Sequence, residues 1–217
     1  MTMSSMATTG AGRELRSDAA ANRAKILAAA RSTFDQLGFE VGMEVIAQRA
    51  GVGVGTIYRR FPTKELLIEA ILDEVADAMR QVAIDARDHQ PPAASLEIFL
   101  VAVGELQVEH AGVLPRLWGH IDQVRRSEFE ELGREILERS QAAGAVRLDL
   151  VYEDVVTIFW SLRGVIERSA GASPDAWRRH LELVVAALGP SERPLRTPPM
   201  TASELRRAKQ AARSASR

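Results

Sequence analysis

The chain has 217 residues, of which 46% are hydrophobic, 26% charged and 5% aromatic, with nine prolines and no cysteine. This is apolar enough to fold and to bury a real core, and the missing cysteine excludes disulfides, thiolate zinc sites and cysteine nucleophiles. The net charge of −1 hides an asymmetry: residues 1–64 hold nine Lys and Arg against five Asp and Glu, residues 65–189 twelve against twenty-two, and residues 190–217 seven against two. An acidic body with basic ends points to a polyanionic partner for the ends, or to solvated tails. Apolar runs are too short to span a membrane, and the first residues lack the layout of a signal peptide. The expected setting is the cytoplasm.

Residues 1–17 are small and polar and read as a disordered arm. Ser17 or Asp18 caps a first helix, along which Ile26, Leu27, Ala30, Phe34 and Leu37 recur at helical spacing up to Gly38. A short helix is predicted from about Met43 to Ala50 and another from Val54 to Phe61, separated by Gly51-Val52-Gly53. Pro62 stops the second, and Thr63 caps a long helix whose buried face includes Leu66, Leu67, Ala70, Ile71, Val75 and Ala78.

Past Pro91-Pro92, Leu96, Phe99, Leu100, Val103 and Leu106 repeat at helical spacing. Pro115 opens a helix bearing Leu117, Trp118, Ile121 and Val124. Ser127 and Glu130 form a capping-box pattern ahead of Leu132, Ile136 and Leu137. Two stripes end the domain: Val155, Phe159, Leu162 and Ile166, then Trp177, Leu181, Val184 and Leu188 after the start signal Ser173-Pro174-Asp175. The tail after Gly189-Pro190 could start a short basic helix at Thr201, but its apolar stripe is thin, so it reads as frayed or disordered. No segment shows sustained strand alternation. The fold is expected to be all-α with about nine helices.

The informative segment runs from Met43 to Phe61. Ala47 is small where two helices must cross closely, Gly51 four residues later allows a tight turn, and Ile57 points back into the core. This spacing suits a helix-turn-helix, although an ordinary helical hairpin shares it. At about 100° per residue, Val54, Ile57 and Phe61 share one face, leaving Gly55, Thr56, Tyr58 and Arg59 on the opposite arc. Thr56 and Tyr58 offer hydroxyls to phosphate oxygens, Arg59 suits guanine or phosphate, and Lys64 in the next helix's first turn opposes that helix's dipole and so favours an external anion.

The stretch ILAAARSTFDQLGFEVGMEVIAQRAGVGVGTIYRRFPTKELL resembles the N-terminal domain of the TetR family of bacterial transcriptional repressors, and AGVGVGTIYRRFPTKE is similar to that family's signature. The resemblance is clear over about residues 20–72. It implies a homodimer on a near-palindromic double-stranded DNA operator, released by a small-molecule effector bound in the C-terminal domain. It also implies phosphate contacts from Thr56, Tyr58 and Lys64, and places Gly55 at the family's glycine. The family often has Ser or Thr capping the second helix and touching phosphate where Val41 and Gly42 stand here, and Arg60 replaces a frequent His or Tyr. Arg60 is then expected to take over electrostatically from the second helix's missing hydroxyl.

The resulting domains are a helix-turn-helix domain over residues 18–64, a ligand-binding and dimerisation body over 65–189, and a basic tail over 190–217. The resemblance places Phe99, Val103, Trp118, Phe129, Trp160 and Arg163 around a ligand cavity. Packing in the core, and an Arg163–Glu167 pair at i,i+4 spacing, are the plain alternatives. The two late stripes (Val155, Phe159, Leu162, Ile166; Trp177, Leu181, Val184, Leu188) are expected to form a four-helix dimer interface, unless one subunit buries them itself. Glu128, Glu130, Glu131, Glu135 and Glu138 read as a solvated helix face. The four histidines lack metal-ligand spacing, and no nucleophile–base pair or cofactor loop stands in a suitable context. The chain is therefore expected to be a DNA-binding regulator rather than an enzyme, with no metal or cofactor. An activator, or a regulator answering to a protein partner, would show the same DNA contacts.

Overall fold

The computed structural model describes residues 8–215, with side chains from residue 20 to 211 except those of 115, 118 and 119. The chain runs through α1 (Thr8–Leu37), α2 (Met43–Ala50), α3 (Val54–Arg60), α4 (Lys64–Asp88), a 3-10 turn (Pro92–Ala94), α5 (Ser95–Glu109), α6 (Leu114–His120), α7 (Gln123–Ala142), α8 (Tyr152–Ser169), α9 (Ala176–Ala187) and α10 (Ala202–Ala215). The all-α reading holds. Nine helices precede the tail, and α10 is a tenth. The chain divides into two compact units, residues 1–71 and 72–217, and α4 begins in the first and ends in the second.

In the first unit Ile26, Leu27, Ala30 and Phe34 of α1 are buried with Met43, Ile46 and Ala47 of α2, Ile57 and Phe61 of and after α3, and Leu67 and Ile71 of α4. Helix α1 starts at Thr8, ahead of the Ser17 or Asp18 cap expected for it, so residues 8–17 of the expected disordered arm are helical. Residues 1–7 lie outside the described residues. Thr63 caps α4 as expected, its hydroxyl accepting the Leu66 N–H at 3.2 Å.

The second unit is built around α5. Phe99 is fully buried, with the rings of Phe129 and Phe159 centred 5.7 and 5.4 Å from its own. Its neighbours Leu96, Leu100 and Val103 are buried too. Helix α6 ends at His120, and α7 starts at Gln123 with Asp122 as its cap, the carboxylate accepting the Arg125 N–H at 2.8 Å. Ser127 therefore lies inside α7, and the start signal expected there is not used. Asp122 is nearer the break and a stronger cap than a serine already within the helical turn.

Two further expectations are corrected in this unit. Val155, Leu162, Ile166, Trp177 and Leu181 are buried within the chain, and Phe159 packs on Phe99. Val184 and Leu188 are half-buried. Helices α8 and α9 turn their stripes toward each other and toward α5, as a core does, so the buried members of both stripes cannot meet a second copy. The tail is the other correction. Thr201 and Glu204 form a capping box, the Thr201 N–H donating to the Glu204 carboxylate at 2.8 Å and the Glu204 N–H to the Thr201 hydroxyl at 3.3 Å. Leu205 is buried, and Lys209 Nζ donates to Glu130 Oε1 of α7 at 2.8 Å. One leucine and one ion pair hold a helix whose apolar stripe alone is too thin. Upstream, Asp149 accepts from Arg147 and from the Leu195 N–H at 2.8 Å, which ties the residues after α9 to the α7–α8 loop.

Gly104 marks the closest packing of α9 on α5. A Cβ there would stand 2.5 Å from the Trp177 ring, which is buried and rigid. Gly104→Ala is therefore expected to destabilise the body by about 1–3 kcal/mol through overpacking. Urea unfolding followed by tryptophan fluorescence measures it, and an unchanged midpoint would contradict this packing.

Candidate functional site

The candidate DNA-facing surface is assembled by the shortest elements in the chain. Helix α2 has eight residues and α3 seven, and neither carries a side-chain cap: glycine occupies both cap positions, Gly42 and Gly53. Between them Gly51 adopts φ +66°, the left-handed region, and its N–H and that of Val52 close onto Gln48 and Ala47 carbonyls at 3.2 and 3.0 Å. Ala47 and Ile57 are fully buried, so the small–glycine–apolar spacing does what a helix-turn-helix needs. Arg49 of α2 donates to Gln36 of α1 at 2.9 Å, fastening the first helix of the motif to its support.

This packing sets the outer face of α3. Gly55, Tyr58, Arg59 and Arg60 are exposed, while Thr56 and Lys64 are half-buried. A Cβ on Gly55 would meet open space, so the backbone is accessible there. Arg59, Arg60 and Lys64 form no hydrogen bond or ion pair among the described residues. Arg59 and Arg60 occupy the last turn of α3, where the helix dipole favours cations. Lys64 opens α4 just past the Phe61-Pro62-Thr63 link that follows them. The candidates Gly55, Thr56, Tyr58, Arg59, Arg60 and Lys64 thus lie in one short stretch of exposed or half-exposed surface. Val54 departs from its expected place: it is exposed rather than sharing the buried face of Ile57 and Phe61, because it is the first residue of the helix.

One neighbour of this face is absent from the sequence-based reading. Tyr58 Oη donates to Glu44 Oε1 of α2 at 2.9 Å. The N–H of Glu44 itself and then the Tyr58 hydroxyl hold the Glu44 carboxyl below the usual carboxylate range. The same hydrogen bond raises the Tyr58 hydroxyl above its ordinary value. The signal was available in the sequence, as an acid two residues past a glycine that cannot cap, but pairing it with a tyrosine fourteen residues on requires the turn geometry.

The ligand candidates are not brought together. Phe99 and Val103 are core, Phe129 is buried, Trp160 is exposed, and Arg163 Nε donates to Glu167 at 2.7 Å on the surface. The side chain of Trp118 lies outside the described residues. A cleft of about 290 Å³ does open in this unit, between α4, α6 and α7, with Met79, Leu117, Ile121 and Phe129 as apolar walls and Asp77, Arg80, Arg125 and Glu128 at its polar edge. Of the residues named from the sequence, Phe129 lines it. Arg80 and Glu128 pair across it at 2.6 Å. Trp160 and Arg163 fail as lining because their turns of α8 face solvent.

Comparison with known proteins returns the same domain. Residues 26–71 match the family model described as bacterial regulatory proteins, tetR family. An HTH-type transcriptional regulator of Staphylococcus aureus is 43% identical over 70 residues, 31% of this chain and 36% of that protein. An HTH-type regulator of Mycobacterium tuberculosis is 36% identical over 75 residues, 34% of this chain and 40% of that one. The chain thus spans well under half the length of these curated relatives. The crystal structure of a TetR transcription regulatory protein from Mycobacterium vanbaalenii is similar over 81% of this chain and 99% of its own, at 29% identity and TM-score 0.61. A TetR transcriptional regulator from Streptomyces coelicolor is similar over 78% and 99%, at 28% identity and TM-score 0.59.

The turn itself can be tested. Gly51→Ala forces a Cβ into the left-handed region and is expected to cost about 1–2 kcal/mol. Amide hydrogen exchange should then quicken in α2 and α3, while the α5 and α7 amides keep their protection. Unchanged exchange in α2 and α3 would show that the turn tolerates a side chain.

Proposed function

This chain is a TetR-family regulatory protein that binds DNA, and from that premise we propose that it is a cytoplasmic repressor acting as a homodimer. It would bind a near-palindromic operator and leave it when a small molecule occupies the body. The observation that carries the DNA reading is the exposed Tyr58-Arg59-Arg60 face of α3 with Lys64 beside it, cations with no internal partner among the described residues on a rigid helix-turn-helix. Two such faces would enter successive major grooves about 34 Å apart.

The dimer surface in this reading is the outer face of α8 and α9. Ser161 and His180 meet at 3.0 Å, and within one turn of that contact Trp160 is 40% exposed and Leu183 58% exposed. The effector site in this reading is the cleft between α4, α6 and α7, whose volume is near the lower end of ligand pockets. A ligand that favours one spacing of the two DNA-binding domains over the other would shift the population off the operator.

Binding of a duplex selected from a randomised library tests the DNA face. Lys64→Ala should lower the slope of log affinity against log salt by about 0.9 for each phosphate it no longer neutralises, roughly twice that in a dimer. Arg59→Ala should cost about 1–3 kcal/mol per half-site and flatten preference at one symmetric position if it reads a base. Uniform weakening on all sequences would make Arg59 a phosphate contact. If neither substitution alters binding, the assignment of this face fails.

Sedimentation velocity tests the assembly. The wild type should be a dimer at micromolar concentration, and Leu183→Glu should yield folded monomers with weak operator binding. A monomeric wild type would remove the dimer from the proposal.

A further inference from the structure

The hydroxyl of Tyr58 carries one proton. In the free protein that proton is directed to Glu44 Oε1, 2.9 Å away. A DNA phosphate oxygen approaching Tyr58 needs the same proton, and it is an anionic oxygen acceptor of the same kind. The two contacts exclude each other. We propose that Glu44 is an internal stand-in for a DNA phosphate, occupying the Tyr58 hydroxyl until the DNA backbone displaces it. This rests on the DNA-binding reading of the α3 face and adds a competitor built into that face.

The local sequence explains why a carboxylate stands there. Gly42 precedes α2 without a side chain to cap it. Glu44 lies in the first turn, where the helix dipole favours an acid, and its carboxylate accepts its own backbone N–H. An acid so placed stays ionised at neutral pH, so the competition is permanent. Both residues are exposed, so DNA reaches the hydroxyl without any rearrangement of the core. Release of Tyr58 leaves Glu44 its backbone N–H and water, so the displaced state is accessible. A charged acceptor holds a hydroxyl more strongly than a neutral one, which makes the carboxylate, rather than a glutamine in its place, an effective rival to phosphate.

A simpler effect predicts a similar sign: any acid on a DNA-facing surface repels phosphates, whatever Tyr58 does. Two substitutions separate the cases. Glu44→Asp keeps the charge and withdraws the carboxylate by one methylene. Tyr58→Phe removes the contested proton. The full-length protein is titrated with a duplex selected from a randomised library and with a random-sequence duplex, for the wild type, Glu44→Gln, Glu44→Asp, Tyr58→Phe and the Glu44→Gln/Tyr58→Phe double variant. Circular dichroism checks folding, and Glu44→Asp retains the acidic first turn of α2 should the glutamine loosen that helix. Glu44→Gln and Glu44→Asp are each expected to tighten binding roughly three- to tenfold per half-site on both duplexes, and Glu44→Gln to have no effect once Tyr58 is Phe. Equal tightening with and without the hydroxyl, or Glu44→Asp binding like the wild type, overturns the proposal in favour of plain repulsion. Weaker binding in either Glu44 variant also overturns it and makes Glu44 a residue that positions Tyr58. A wild type that binds neither duplex would instead defeat the DNA-binding reading.

Discussion

Helices of eight and seven residues do not persist in water by themselves, because the cost of nucleating a turn is recovered only over a longer run. Helices α2 and α3 are of that length, and everything on the DNA-facing surface depends on what holds them. That is burial: Ile46, Ala47 and Ile57 are fully buried, Met43 and Phe61 nearly so, beneath α1. Capping contributes little, since glycine stands at both cap positions. The polar connections that remain, Arg49 to Gln36 and Tyr58 to Glu44, each join one helix of the motif to another. The exposed groups of α3 therefore inherit their positions from the core behind them. A side chain such as Arg59 can be exposed and still well placed.

How far the sequence could be read follows from the same physics. Ala47, Gly51 and Ile57 were legible because each meets a local requirement: a close crossing, a positive φ, a buried anchor. Val54 was misplaced because periodicity says which residues share a face but not where along the helix the covering neighbour ends. The first turn of α3 lies past that cover. In the body, the stripes on α8 and α9 were found at the right residues and given the wrong partner. A stripe encodes burial, and nothing in its spacing tells a neighbouring helix of the same chain from a helix of a second copy. The ligand residues were illegible for a related reason, since core and cavity wall are made of the same side chains. Glu44 was missed because its significance is a contact across a turn rather than a pattern along a helix.

Charge is organised more tightly than composition suggests. The run of glutamates on α7 reads as a solvated face, yet Glu128 pairs with Arg80, Glu135 with Arg87 and Glu130 with Lys209. Asp73 of α4 likewise meets Arg125 and His120. Exposed pairs of this kind contribute little singly, and α7 is held chiefly by Phe129, Leu132, Ile136 and Leu137. Their effect is on register and on the tail: an acidic α7 gives the basic α10 a surface to settle on, where its single buried leucine would not suffice.

The distribution of sign differs between the two units in a way that bears on the DNA reading. In the body, many arginines face a carboxylate from another helix or the next turn, as Arg134 faces Glu153 and Arg178 faces Glu105. On α3 and at the start of α4, Arg59, Arg60 and Lys64 have no such partner among the described residues. Cations left unpaired in a chain otherwise rich in acids are available to an external anion, and a polyanion gains from each counterion they displace. Against that background a single carboxylate among them is conspicuous. It lies where the repulsion of phosphates is least useful to binding, and it is bonded to the one tyrosine whose hydroxyl the face presents. An acid retained at such a place has a local task, and the contacts of Glu44 name two: closing the first turn of α2, and holding the proton of Tyr58.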